Sequence, residues 1–192
     1  GKEGKLVFEQ YQYGTSAQSL FDSQSIAKVL TALNVGIAMT QDDSIGLNTK
    51  MSELVPKLNG SPIGEATLKQ TLQMQCGHAF KWTDNGAEGS AGQYAKMRFA
   101  APNKGSQDLY GYFKSLPANA PGQKFAYDPH CTDSLSMVIT QKTGMPMRQF
   151  FEKFVWQKMG AANQAAWLSP TQNPELTSGA SAFYASLPDY AK

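Results

Sequence analysis

The chain has 192 residues, 41% of them hydrophobic and 17% charged, with a formal net charge of +2. Such a composition suits a globular protein with one sizeable core. Its near-neutral charge lacks a polyanion footprint, so nucleic acid is not an expected partner. The longest apolar run, Ile26 to Met39, is interrupted by Lys28 and Asn34 and falls short of the ~18–20 residues that span a bilayer, so no membrane span is expected.

The opening GKEGKLVFEQ lacks the apolar centre of a signal peptide and reads as the start of a mature or truncated chain. Lys5–Tyr13, KLVFEQYQY, alternates in the manner of a strand, ended by Gly14-Thr15-Ser16. A lone strand must find partners for its backbone groups, and few other segments read as strands. Asp22 or Ser23 can cap a helix running to about Thr40, so apolar throughout that burial on all sides is expected. A short amphipathic helix follows over Thr49–Val55, ended by Pro56, and another opens at Ala66 or Thr67 and ends at Cys76-Gly77.

Residues 78–103 are glycine-rich and aromatic and read as a long irregular excursion of the functional or mobile kind. Gln107–Ser115 predicts a helix. Asp128-Pro129 is a strong helix start, with Asp as cap and Pro at the first helical position, and Gly144 is the stop. Pro146 opens a helix that ends before Gly160. Residues 170–179 read as loop, and Ser186-Leu187-Pro188-Asp189 begins one last helical turn. The fold class expected is α+β: a helical body with an N-terminal strand, forming one domain over 1–192.

Within FDSQSIAKVLTALNVGIAM, Ser25 and Lys28 stand three residues apart and share a helix face. A serine hydroxyl is a poor nucleophile until a base takes its proton, and a lysine amine can do so when its surroundings lower its pKa. Ser25 also lies in the first helical turn, where unpaired backbone N–H groups favour developing negative charge. Ser-x-x-Lys arises by chance about once in a chain of this size, so the motif alone is weak. The apolar context of Lys28 adds to it, because a buried lysine needs a partner.

Tyr127 falls just before the Asp128 cap, where its phenol can project into a cleft and pass protons. A ring packed with its hydroxyl in water is the commoner fate of such a residue. Cys76, His78, His130 and Cys131 contain the donors of a zinc site but not the usual C-x₂₋₄-C and H-x₃₋₅-H spacing, so no metal is expected. No cofactor is expected either, since phosphate-loop and dinucleotide fingerprints are missing. The two cysteines fit one disulfide, hence a periplasmic or secreted address, and equally two reduced thiols in the cytoplasm.

Three segments together carry a family resemblance: FDSQSIAKVLTALNVGIAM; then LNTKMSELVPKLNG and ATLKQTLQMQCGH; then PGQKFAYDPHCTDSLSMVITQKTGMPMRQFFEKFVWQKMG. Their order and spacing resemble the serine β-lactamase-related hydrolases, in particular the class C-like branch with its esterases, D-aminopeptidases and 6-aminohexanoate-dimer hydrolases. The resemblance implies a helical subdomain beside an antiparallel sheet. It implies Ser25 as acylated nucleophile, Lys28 as its base or pKa-lowering partner, and Tyr127 as proton relay to the leaving group of a small-molecule or peptide-like substrate. The family's Tyr-x-Asn is here Tyr127-Asp128-Pro129, so the asparagine's ligand contact is lost or passes to His130, with His78 a second substrate-binding candidate. The Thr-Ser-Gly-like turn becomes Gln75-Cys76-Gly77. The resemblance implies that the family's Lys/His-Thr/Ser-Gly on a C-terminal strand lies beyond Lys192, with the C-terminal sheet strands and partners for the Lys5–Tyr13 strand. Cys76 and Cys131 fall in the loops that flank the family's cleft, which suggests a disulfide bracing it. Pro129 also favours an alternative: a non-catalytic relative that binds a peptide or cell-wall-like ligand.

Overall fold

A computed structural model describes residues 3–78, 94, 108–170 and 173–192. Two helices set its frame. Helix α1, Ala27–Met39, continues a 3-10 turn over Gln24–Ile26, and its buried face carries Ala27, Thr31, Asn34, Val35 and Ala38. Among the described residues four short α-helices lie between α1 and the second helix, the first three being α2 (Met51–Leu54), α3 (Pro62–Glu65) and α4 (Leu68–Leu72). Thr67 and Gln70 start α4 with a reciprocal capping box, each side chain taking the other's backbone N–H. Helix α5, Leu109–Ser115, is capped by Asp108.

The second framing helix is α6, Pro129–Thr143. It is the central rod of the molecule, buried on every side from Pro129 to Ile139, and it packs against α1, α2, α4 and the helix after it. Asp128 caps it and Gly144, in the left-handed region at φ 71°, ends it. Helix α7, Met147–Phe151, widens into a π turn over Glu152–Trp156 instead of running on as one α-helix. The wider turn brings residues five apart onto one side. Phe151 and Trp156, 5.9 Å apart, thereby meet Trp167 and Phe183 in one aromatic cluster.

Three strands form an antiparallel sheet in the order β1-β3-β2: β1 Leu20–Asp22, β2 Ala166–Trp167 and β3 Phe183–Ser186. Phe21 pairs with Ala185, and Trp167 with Phe183. Helix α8, Leu187–Tyr190, closes the described chain with Ser186 as its cap. No described helix is long and apolar enough to cross a membrane.

Three expectations are corrected. Among the described residues no named strand forms over 5–13: Lys5 makes one isolated bridge, and Leu6, Val7 and Phe8 are exposed. The N-terminal strand is β1, and its partner β3 lies within the chain; they are three and four residues long, elements that a periodicity reading passes over. Helix α1 is not buried all round, since Ile26, Val29 and Leu33 form an exposed apolar stripe. The excursion over 78–103 lies outside the described residues except for His78 and Tyr94.

Candidate active site

The backbone entering α1 is unusual at one residue. Gln24 sits in the left-handed region at φ 49°, a conformation that costs a non-glycine residue about 1–2 kcal/mol. Asp22 holds it there, accepting the Gln24 backbone N–H at 2.9 Å and its side-chain amide at 2.7 Å. The first helical bond is made by Ile26 N–H to Ser23 O, which leaves the Ser25 N–H ahead of the ladder.

Ser25 is exposed, and its hydroxyl is the meeting point of two other side chains. Tyr127, 102 positions along the chain, donates its hydroxyl to Ser25 Oγ at 2.7 Å. Lys28 Nζ reaches Ser25 Oγ at 3.1 Å and lies 5.0 Å from the centre of the Tyr127 ring. Burial pushes the Tyr127 phenol up, but its bond to Ser25 and the charge and hydrogen bond of Lys28 outweigh this and hold it below its ordinary range. Lys28 is half-buried rather than enclosed, because α1 has an open face.

A third partner was not legible in the sequence. Lys28 Nζ donates to the Ala180 carbonyl at 2.6 Å, across 152 positions. That carbonyl is fixed from both sides. Thr31 on α1 donates to Gly179 O at 2.7 Å, and Asp133 on α6 accepts the Ala180 N–H at 3.0 Å and the Tyr94 hydroxyl. A Cβ at Gly179 would stand 2.3 Å from Thr132 O, so only glycine lets the segment lie this close to α6.

Behind Tyr127 lies a buried polar knot. Asp128 accepts His78 Nδ1–H at 2.9 Å, the His130 backbone N–H at 2.8 Å and His130 Nδ1–H. Burial pushes the Asp128 carboxyl up, yet the two imidazoles beside it hold it well below the usual carboxylate range. His78 is driven the other way: burial disfavours its charged form and lowers its pKa despite Asp128. The ring of His130 is enclosed by those of His78, Tyr94, Tyr112 and Phe113, and its Nε2 faces the Tyr112 hydroxyl at 3.2 Å.

Cys76 and Cys131 form a disulfide in this same layer. Cys131 sits in the first turn of α6 rather than in a loop. The disulfide takes both sulfurs out of any metal set. His78, Asp128 and His130 have ligand atoms within 4.8 Å of one another, a spacing a metal could use, but both imidazole Nδ1 atoms are already directed at carboxylate oxygens. The side chains of His78 and His130 are 1% and 0% exposed, so neither ring offers a surface to a substrate. Pro129 is buried as the first residue of α6 and presents no side-chain hydrogen-bonding group.

The chain matches the Beta-lactamase family over residues 1–192. It belongs to that family. Among solved structures it is similar to "Putative 6-aminohexanoate-dimer hydrolase from Bacillus anthracis", with a TM-score of 0.81 and 23% identity over 98% of this chain and 50% of that one. It is also similar to a "putative beta-lactamase from Bacteroides dorei DSM 17855", with a TM-score of 0.70 and 16% identity over 97% of this chain and 52% of that one. These two likenesses establish the fold, a helical subdomain with a small sheet. The chain spans about half the length of both structures.

Proposed function

We propose that the protein is a serine hydrolase that cleaves an amide or ester bond through an acyl-enzyme on Ser25, with Lys28 and Tyr127 as proton-transfer partners. The observation that carries this reading is the convergence of Tyr127 Oη, at 2.7 Å, and Lys28 Nζ, at 3.1 Å, on the exposed Ser25 Oγ. In the reacting form Tyr127 is the phenolate, which the neighbouring Lys28 favours; Ser25 Oγ attacks the carbonyl carbon and its proton passes to that phenolate oxygen. The tetrahedral oxyanion takes the Ser25 N–H, free of the helical ladder. Collapse breaks the carbon–oxygen or carbon–nitrogen bond, and Tyr127 returns the proton to the leaving group. Water then attacks the acyl carbon, gives its proton to Ser25 Oγ by the reverse route and releases the acid.

Small esters or amides are favoured over β-lactams as substrates, because Pro129 offers no side-chain donor beside Tyr127. The disulfide supports a periplasmic or secreted address. Pro129 also supports a second reading, a protein that binds a peptide or cell-wall-like ligand without turning it over. A fluorophosphonate probe on the full-length protein separates the two. The hydrolase reading expects labelling that Ser25→Ala abolishes; labelling that survives this change removes Ser25 from the mechanism.

A further inference from the structure

We infer that Asp128, held by His78 and His130, is a positioning residue that sets the Tyr127 phenol on Ser25, an inference that rests on Tyr127 acting as the proton relay. Tyr127 is 42% exposed and cannot be fixed by packing alone. Its backbone is instead gripped on both sides by one turn, residues 74–78. Ahead of it, Ala126 N–H donates to Met74 O at 3.0 Å; behind it, the Asp128 side chain accepts from His78 at 2.9 Å. The turn is itself bound to the strand of chain that leads to Tyr127, through Asn119 N–H to Gly77 O at 2.8 Å and Gly122 N–H to Gln75 O at 2.9 Å. Its left-handed Gly77, at φ 81°, has Asn119 O where a Cβ would clash at 2.9 Å.

The disulfide joins the middle of this turn to α6 four residues after Tyr127. It holds turn and helix together. The Asp128 carboxylate adds a second tie between them, next to Tyr127 itself. It caps α6 through the His130 N–H and receives the His78 ring at the same time, two bonds in different directions from one rigid group. His130, wedged among four rings, supplies the third bond and keeps the carboxylate from turning away. A carboxylate is required here because all three partners are donors, and charge-assisted bonds are the strong ones in a buried layer. An amide could serve the cap but would turn N–H toward one of the imidazoles.

A double-mutant cycle in the full-length protein tests this, with hydrolysis of a nitrophenyl ester as the readout. Asp128→Asn lowers kcat ~10–100-fold, the scale of a displacement of about 1 Å at a reacting group, and changes KM less than about threefold. In a Tyr127→Phe background, already impaired, the same change lowers kcat less than about twofold. His78→Leu repeats the pattern, and His78→Asn, whose amide N–H stands near the lost Nδ1–H, restores most of the activity; this pair carries the test if Asp128→Asn does not fold. An equal loss from Asp128→Asn or His78→Leu in both backgrounds makes the knot merely structural and overturns the inference, as does no loss. A Tyr127→Phe enzyme with undiminished turnover is a different failure: it removes the relay, and the positioning claim with it.

Discussion

Tyr127 and Asp128 are neighbours in sequence and opposites in environment. Tyr127, with Ser25 and Lys28, stands at the surface, where the proposed reaction would take place. Asp128 is 2% exposed, with three donors directed at it. The contrast teaches how an exposed group is held at hydrogen-bond distance from a partner 102 positions away. The rigidity is placed one residue behind the exposed phenol, where burial makes polar bonds strong and water cannot compete.

If the open side of this pair is the reacting side, changes there should abolish turnover without unfolding the protein. The largest effect is expected for Ser25→Ala, a loss of ~10³-fold or more in kcat/KM with thermal unfolding unchanged. Tyr127→Phe and Lys28→Met follow, each expected to lower kcat ~10²–10⁴-fold. If either variant instead loses its cooperative unfolding transition, the division between open and closed layers is wrong.

Apart from the Asp128 knot, changes in the buried layers should act on stability. Reduction of the Cys76–Cys131 bond, which closes a loop of 55 residues, is expected to destabilise the fold by about 2–5 kcal/mol, seen as a lower midpoint in urea. Gly179→Ala forces a carbon against Thr132 O and is expected to cost about 1–3 kcal/mol in the same titration.

The smallest effect is the dependence on pH. The folded state lowers the pKa of His78, so below the ordinary histidine value of about 6.5 the unfolded chain takes up the proton first and stability falls. Asp128 is likewise lowered, and its contribution, full above about 4, is lost as the pH falls further. Urea midpoints measured from pH 7 to pH 3 should decline in these two windows, with the lower one flattened in Asp128→Asn.

The open side was the more legible in the sequence. Ser25, Lys28 and Tyr127, which the structure brings within hydrogen-bond reach of one another, could be picked out because the proposed chemistry calls for those side chains and because two of them share one helix turn. Helices with chemical punctuation were legible too: Asp128-Pro129 and Gly144 bound α6 where expected, and Thr67 opened α4. What escaped was set by distant parts of the chain. Ala180 contributes a backbone carbonyl, which no side-chain pattern marks. Asp128 read as a cap and nothing more, because its second function needs His78, fifty positions away. Strands of two to four residues carry too few alternations to be seen, whereas the nine-residue alternation of Lys5–Tyr13 was seen and joins no strand among the described residues. The stripe of Ile26, Val29 and Leu33 made α1 look like a core helix, although its burial is one-sided.

The central claim is that a covalent intermediate forms on Ser25. Rapid quenching of the full-length protein with a slowly hydrolysed ester, followed by intact-mass and peptide analysis, tests it most directly. The account predicts the mass of one acyl group, located on the peptide that contains Ser25 and accumulating more slowly in Tyr127→Phe. Turnover with no acyl group on Ser25, or with turnover undiminished in Ser25→Ala, would contradict it.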